Sequence, residues 1–180
     1  AVEAMPEAAA NALLKTLEEP GHGLLILLSA APERLLSTIR SRCQLIRFLR
    51  LTQADLNRVL EGCGALEQDP PELLAMAAGS PGALLEHRRQ RAGLPEELTG
   101  RLASMPDQPM EALALARDVC EALDGEQQLW LINWWQQQLW ARGAGDRPLQ
   151  RLETLRRQLL SFVQPRLAWE VALLELTTGG

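Results

Sequence analysis

Two arginines separated by one serine mark the part of the sequence best suited to chemistry. They lie in residues 38–44, which read TIRSRCQ. Arginine carries a permanent charge on a planar group with five N–H donors, which suits phosphate oxygens. At a subunit edge it can act as an arginine finger, which stabilises the charge that develops as a γ-phosphoryl group leaves. From the residues alone, Arg42 as a finger and Arg42 as a solvated or salt-bridged side chain are both open.

The elements around this motif predict an α/β segment. Residues 24–28 are continuously apolar, which is typical of a strand buried on both faces of a parallel sheet, and residues 45–48 predict a second strand. A helix is expected from Pro6 to about Glu19, and a short one over 32–41. Arg42 would then lie at a sheet edge. Because two strands cannot close a core, the segment is either the end of a larger α/β domain or an unusually small one.

From residue 52 onward the pattern predicts helices only. Thr52 and Ser80 are expected to cap two helices of a three-helix group that ends near Arg91. Residues 92–95 form the expected linker to a second helical domain. Its helices are predicted near 95–104, 109–123, 126–141, 147–163 and 166–177. The predicted fold class is therefore mainly α, with divisions at 1–49, 50–92 and 93–180.

Four tryptophans fall on one of these predicted helices. They are Trp130, Trp134, Trp135 and Trp140. Packing in a core or at a subunit interface is favoured, since aromatic side chains carry much of the burial in both. A membrane-surface helix is the weaker alternative, because the polar face is glutamine-rich rather than basic.

Composition limits the function classes. Apolar residues make up 47% of the chain and the net charge is -5, which predicts a cytoplasmic globular protein without a membrane segment. The acidic C-terminal half is disfavoured as a main DNA-binding surface. Three cysteines, Cys43, Cys63 and Cys120, lack metal-ligand spacing and are expected to be reduced, packed thiols. The two histidines, His22 and His87, are expected to face solvent.

Two motifs together resemble a known family. NALLKTLEEP at residues 11–20, followed by the SRC motif at residues 41–43, resembles the AAA+ clamp-loader subunits of bacterial DNA polymerase III, and most of all the delta-prime type. Residues 164–167, QPRL, are similar to the start of the last helix in that type. The resemblance implies that residues 1–49 are the remnant of an AAA+ nucleotide-binding-type domain, residues 50–92 a lid domain and residues 93–180 a collar domain that mediates oligomerisation.

The family pattern also implies a site and partners. Arg42, within Ser41-Arg42-Cys43, would supply an arginine finger in trans to ATP bound by a neighbouring gamma/tau subunit. The expected partners are the gamma/tau and delta subunits and, through them, the sliding clamp and primer-template DNA. This chain itself would hold no cofactor and no metal. It would belong to a nucleotidyltransferase holoenzyme without having catalytic activity of its own.

Departures from the family's ATPase pattern favour the delta-prime type. A P-loop sequence, GxxxxGK[ST], occurs nowhere in these residues, and Gly82 stands where gamma/tau subunits have a nucleotide-sensing arginine. Ser29 falls at the position of a polar sensor residue. Two alternatives are kept: a fragment of a gamma/tau-like ATPase, and a stand-alone helical interaction module.

Overall fold

The computed structural model describes residues 5–19, 21–161 and 163–177. The chain separates into two compact units, Ala1–Leu49 and Arg50–Gly180. Ten α-helices and one short 3₁₀ helix, Pro32–Arg34, account for the regular secondary structure within the described ranges. The α-helices are α1 (Glu7–Glu18), α2 (Ser37–Arg40), α3 (Gln53–Gly62), α4 (Pro71–Ala77), α5 (Pro81–Ala92), α6 (Glu96–Ser104), α7 (Pro109–Ala122), α8 (Gly125–Ala141), α9 (Asp146–Leu160) and α10 (Pro165–Thr177).

The mainly α fold class is confirmed, and the helices lie close to their expected positions. Both predicted caps form: the Thr52 hydroxyl accepts a hydrogen bond from the Asp55 N–H at 3.2 Å, and the Ser80 hydroxyl accepts one from the Ala83 N–H at 3.3 Å. The division into lid and collar domains stays a prediction.

The two predicted strands are absent, and that expectation was wrong. Residues 24–28 and 45–48 lie outside the helices, and the described part of the chain contains no strand for either to pair with. Leu24 is 85% exposed and Phe48 is 92% exposed. A strand exists through hydrogen bonds to a neighbour, and a buried parallel strand needs a neighbour on each side. The apolar character of the two segments can be read from the sequence. Strand formation also requires neighbouring strands, which local hydrophobicity does not reveal.

The core of the second unit is built around α8. Trp130, Trp134 and Trp135 are buried on this helix, as predicted, whereas Trp140 near its end is 69% exposed. Helix α8 contacts α4, α6 and α9, while α10 packs against α7 and α9. Because one helix contributes apolar side chains in several directions, it joins the helices before and after it into one core.

A buried glutamine ties α8 to α10. Gln128 is 5% exposed, and its Nε2 donates to the Leu123 carbonyl at 2.9 Å. Its Oε1 accepts a hydrogen bond from Trp169 Nε1 at 3.0 Å. Both ends of the amide are therefore paired, which removes the penalty of burying a polar group.

His87 was predicted to face solvent, and this prediction was wrong. It lies within α5, is half-buried, and its Nδ1 accepts a hydrogen bond from Trp130 Nε1 at 3.0 Å. The predicted helix already extended to about Arg91, but its sequence did not indicate that the imidazole meets α8. The three cysteines are free thiols; Cys43 and Cys120 are half-buried and Cys120 packs against the core, whereas Cys63 is exposed and is not packed as expected.

The turn before α5 depends on a glycine. Gly79 has a φ of +78°, and a Cβ at this position would collide with the Leu51 carbonyl oxygen. The Leu51 N–H donates to the Gly79 carbonyl at 3.1 Å, so the two backbones are in direct contact. Only glycine fits both the left-handed conformation and this close approach.

Replacing Gly79 tests this contact. Gly79→Ala should lower the free energy of unfolding by about 2 to 4 kcal/mol, through backbone strain and collision with Leu51. Gly82→Ala is the matched control, because that helical position is open and alanine there should be neutral or stabilise by up to about 1 kcal/mol. Urea unfolding followed by tryptophan fluorescence reports the second unit, which contains all five tryptophans. Equal effects of the two substitutions would contradict the contact.

An ion pair fixes the loop between α3 and α4. Arg88 donates from Nε and Nη2 to the two oxygens of Asp69, each at 2.6 Å, and from Nη1 to the Ala65 carbonyl at 2.6 Å. The Arg88 side chain is 13% exposed and that of Asp69 is 5% exposed. The hydrogen bond to Asp69 raises the pKa of the Arg88 guanidinium above its ordinary value.

Removing the Asp69 charge should be strongly destabilising. Asp69→Asn keeps the shape but leaves the largely buried guanidinium with only the exposed Glu67 carboxylate, 3.8 Å from Nη1, so the free energy of unfolding should fall by about 2 to 4 kcal/mol. Glu86→Gln is the control, because its ion pair with Arg89 lies at the surface and should contribute little. A negligible effect of Asp69→Asn in urea unfolding would show that water replaces the pairing.

A second ion pair joins α6 to α7 and gives stability a pH dependence. Arg101 Nη1 donates to Asp118 Oδ2 at 2.7 Å, and this hydrogen bond, with one from Arg117, lowers the pKa of the Asp118 carboxyl. A lowered folded-state pKa means that the stabilisation is present above the ordinary value of 3.8 and is lost as the pH falls toward the folded-state value.

Asp118→Asn should therefore be destabilising at pH 7, and its difference from wild type should shrink below about pH 4. The measurement is the urea midpoint as a function of pH, with the exposed Asp107→Asn as control. A difference that stays constant from pH 7 to pH 3 would exclude the charge as its cause.

Candidate arginine site

The loop that carries Arg42 follows directly after α2. Helix α2 contacts α1 in the first unit, and each contributes one buried apolar residue, Ile39 and Ala10. The Ser41 N–H donates to the Ser37 carbonyl at 2.9 Å and the Arg42 N–H donates to the Ile39 carbonyl at 3.1 Å. The backbone of Arg42 is thereby fixed to the end of a helix whose inner face is buried.

The Arg42 side chain is held by three acceptors. Nη1 donates to the Thr38 carbonyl at 3.0 Å and lies 3.4 Å from the Ser41 hydroxyl, while Nη2 donates to Glu18 Oε1 at 2.7 Å. The side chain is 37% exposed. The guanidinium is therefore oriented by its own loop and by α1, and its Nε–H donates no hydrogen bond within the described residues.

Glu18, near the end of α1, pairs with Arg42. No ion pair joins Lys15 to Glu18 or Glu19 within the described residues. Glu18 and Arg42 are 24 positions apart, so helical spacing gave no signal for this contact.

The other predicted site residues are placed as follows. The Ser41 hydroxyl donates to the Thr38 carbonyl at 3.1 Å and so supports the Arg42 loop. Cys43 is half-buried beside it. Ser29 is half-buried, and its hydroxyl accepts a local hydrogen bond from the Ala31 N–H at 3.2 Å. Gly82 lies in the first turn of α5, in the second unit.

The first unit also carries a large exposed apolar surface. Leu24, Ile26, Leu28, Ile46 and Phe48 are each more than two-thirds exposed. Side chains of this size seldom face solvent together unless another surface covers them. The apolar runs on both sides of the arginine loop thus each present large side chains that are suited to contact with a partner or with further chain.

Two structural findings concern metals and membranes. Among the residues that the structure describes, no group of three or more His, Cys, Asp or Glu side chains is arranged to hold a metal ion. Likewise, none of the described helices has the length and apolar character needed to cross a bilayer.

Comparisons with known proteins agree with the two-unit organisation. Residues 54–176 match the family described as "Cyanobacterial DNA polymerase III delta prime, C-terminal domain". Residues 1–52 match the family described as "DNA polymerase III, delta subunit". The helical second unit and the arginine-bearing first unit thus both match subunits of a DNA polymerase. Because the first match covers most of the chain, the chain belongs to the DNA polymerase III delta prime family.

Individual relatives support the same family. The chain is 48% identical over 85 residues to DNA polymerase III subunit delta' of Pseudomonas aeruginosa, and 43% identical over 83 residues to DNA polymerase III subunit delta' of Escherichia coli K12. These alignments cover 44% and 45% of this chain, and 25% of each relative's length. No solved structure gives a significant match. The predicted delta-prime relationship is confirmed, which favours it over the two alternatives.

Proposed function

We propose that this chain acts as part of a delta-prime subunit in a bacterial clamp loader and supplies Arg42 in trans to ATP bound by a neighbouring gamma/tau subunit. Its partners are the gamma/tau and delta subunits, and through them the sliding clamp and primer-template DNA in the cytoplasm. The first unit is the remnant of an AAA+ domain, and the helices of residues 93–180 form the collar. The match of residues 54–176 to the delta prime family supports the subunit role, and Arg42 lies within residues 1–52, which match the DNA polymerase III delta subunit family.

The geometry of Arg42 supports the finger. The side chain is partly exposed at the end of α2, while contacts to Thr38 and Glu18 restrict its orientation. A finger must present N–H donors to a phosphate that another subunit binds, and it stabilises charge best when it is oriented beforehand. A partly exposed guanidinium that is held at Nη1 and Nη2 meets both requirements.

The residues present indicate how this chain and its neighbour would share the steps of ATP hydrolysis. Arginine remains charged at every relevant pH and can donate two parallel hydrogen bonds to phosphate oxygens. ATP, magnesium and the attacking water are then held by the neighbouring subunit. Arg42 would neutralise charge that develops in the transition state and make hydrolysis depend on correct seating of the two subunits.

Replacing Arg42 in the reconstituted loader tests the proposal. Arg42→Ala should leave assembly intact but lower the clamp- and DNA-stimulated ATPase rate at that site by a factor on the order of 10 or more. Arg42→Lys should recover only part of the rate, because it keeps the charge and loses the planar fork. Arg34→Ala is the matched control, since Arg34 is an exposed arginine of the same unit.

Co-elution with purified gamma/tau and delta subunits in size-exclusion chromatography checks assembly. Normal stimulated ATPase in an assembled Arg42→Ala loader would refute the finger. Failure of the wild-type protein to join the complex would refute the subunit role itself.

A further inference from the structure

We infer that Glu18 is a positioning residue for Arg42, which it holds in the orientation needed to reach the phosphate of the neighbouring subunit. This inference rests on the proposed function, because it concerns how the same arginine is prepared. The pairing itself is a feature of the folded first unit: Glu18 Oε1 accepts from Arg42 Nη2 at 2.7 Å across 24 positions of sequence.

The acceptors come from two separate elements. Thr38 and Ser41 belong to α2 and the loop after it, whereas Glu18 ends α1. Contacts from α2 and its loop engage Nη1 alone, which leaves the guanidinium free to swing about that nitrogen. The carboxylate on the other terminal nitrogen adds a second point of attachment and therefore fixes the plane of the group.

The value of this contact lies in orientation rather than in stability. Both side chains are exposed, 37% for Arg42 and 51% for Glu18, and surface ion pairs contribute little to the free energy of folding. A free arginine side chain, however, loses rotamer entropy when it is ordered. Because Glu18 orders Arg42 before ATP binds, this entropy loss does not add to the activation free energy of hydrolysis.

The carboxylate leaves room for the phosphate. Arg42 has five N–H groups, and Nε donates no hydrogen bond within the described residues. Nη2 carries a second hydrogen beside the one directed at Glu18. The Nε–H and this second N–H belong to the same planar guanidinium, a group that binds phosphate oxygens through more than one N–H.

The neighbouring residue supplies a stringent control. Glu19 follows directly, is exposed, carries the same charge and makes no side-chain ion pair in the described part of the chain. Glu18→Gln and Glu19→Gln therefore change the net charge equally in nearly the same place. Only the first removes the anionic acceptor from Arg42.

The test measures steady-state ATPase in the reconstituted loader for five variants: Glu18→Gln, Glu19→Gln, Arg42→Ala, and each glutamine variant combined with Arg42→Ala. Glu18→Gln should lower kcat about 3- to 10-fold without changing KM for ATP, because ATP is bound by the neighbouring subunit. Glu19→Gln should match wild type. In the Arg42→Ala background, Glu18→Gln should have no further effect, since it acts through the arginine.

Several outcomes would overturn the inference. Equal rates for the two glutamine variants would show that the pairing has no role in hydrolysis. A rise in ATPase for Glu18→Gln would mean that the carboxylate competes with phosphate for the arginine. A further loss in the Arg42→Ala background, or poorer assembly, would show that Glu18 only joins α1 to α2. The proposed function fails separately, if Arg42→Ala alone keeps the full rate.

Discussion

Burial of α8 is the constraint on which the second unit depends. Trp135 is 1% exposed and Leu131 and Ile132 are fully buried, so this helix is covered on more than one side. A helix that is apolar on several faces can be stable in water only when other helices surround it. The helices before and after α8 meet these faces, and this shared burial makes residues 50–180 a single unit.

The first unit is held together differently, and its site reflects this. Its buried apolar residues in the described part are Ala10 and Ile39, while most of its large side chains are exposed. Polar contacts therefore carry much of the local order around Arg42. A site of this kind is adapted to an interface, because its apolar and charged groups can still be satisfied by a neighbouring surface.

The sequence predicted the helices well and the long-range contacts poorly. Capping residues such as Thr52 and Ser80, and breaks such as Gly79, are local signals, and the corresponding helices form. The strands failed because pairing depends on partners that local hydrophobicity does not reveal. The ion pair of Glu18 with Arg42 escaped notice for the same physical reason: it depends on how two helices pack, and not on their separate periodicities.

The paired amide of Gln128 also determines how α10 can lie. Rotating α10 by one residue, about 100° about its axis, would bury the indole N–H of Trp169 without an acceptor and leave the glutamine oxygen unpaired. The free-energy cost of an unpaired polar group is high in the low-dielectric core, so only one rotation of α10 about its axis is stable. As a result, Leu167 and Val171 are held at the surface on one face of α10. A neighbouring protein would always meet this same apolar face.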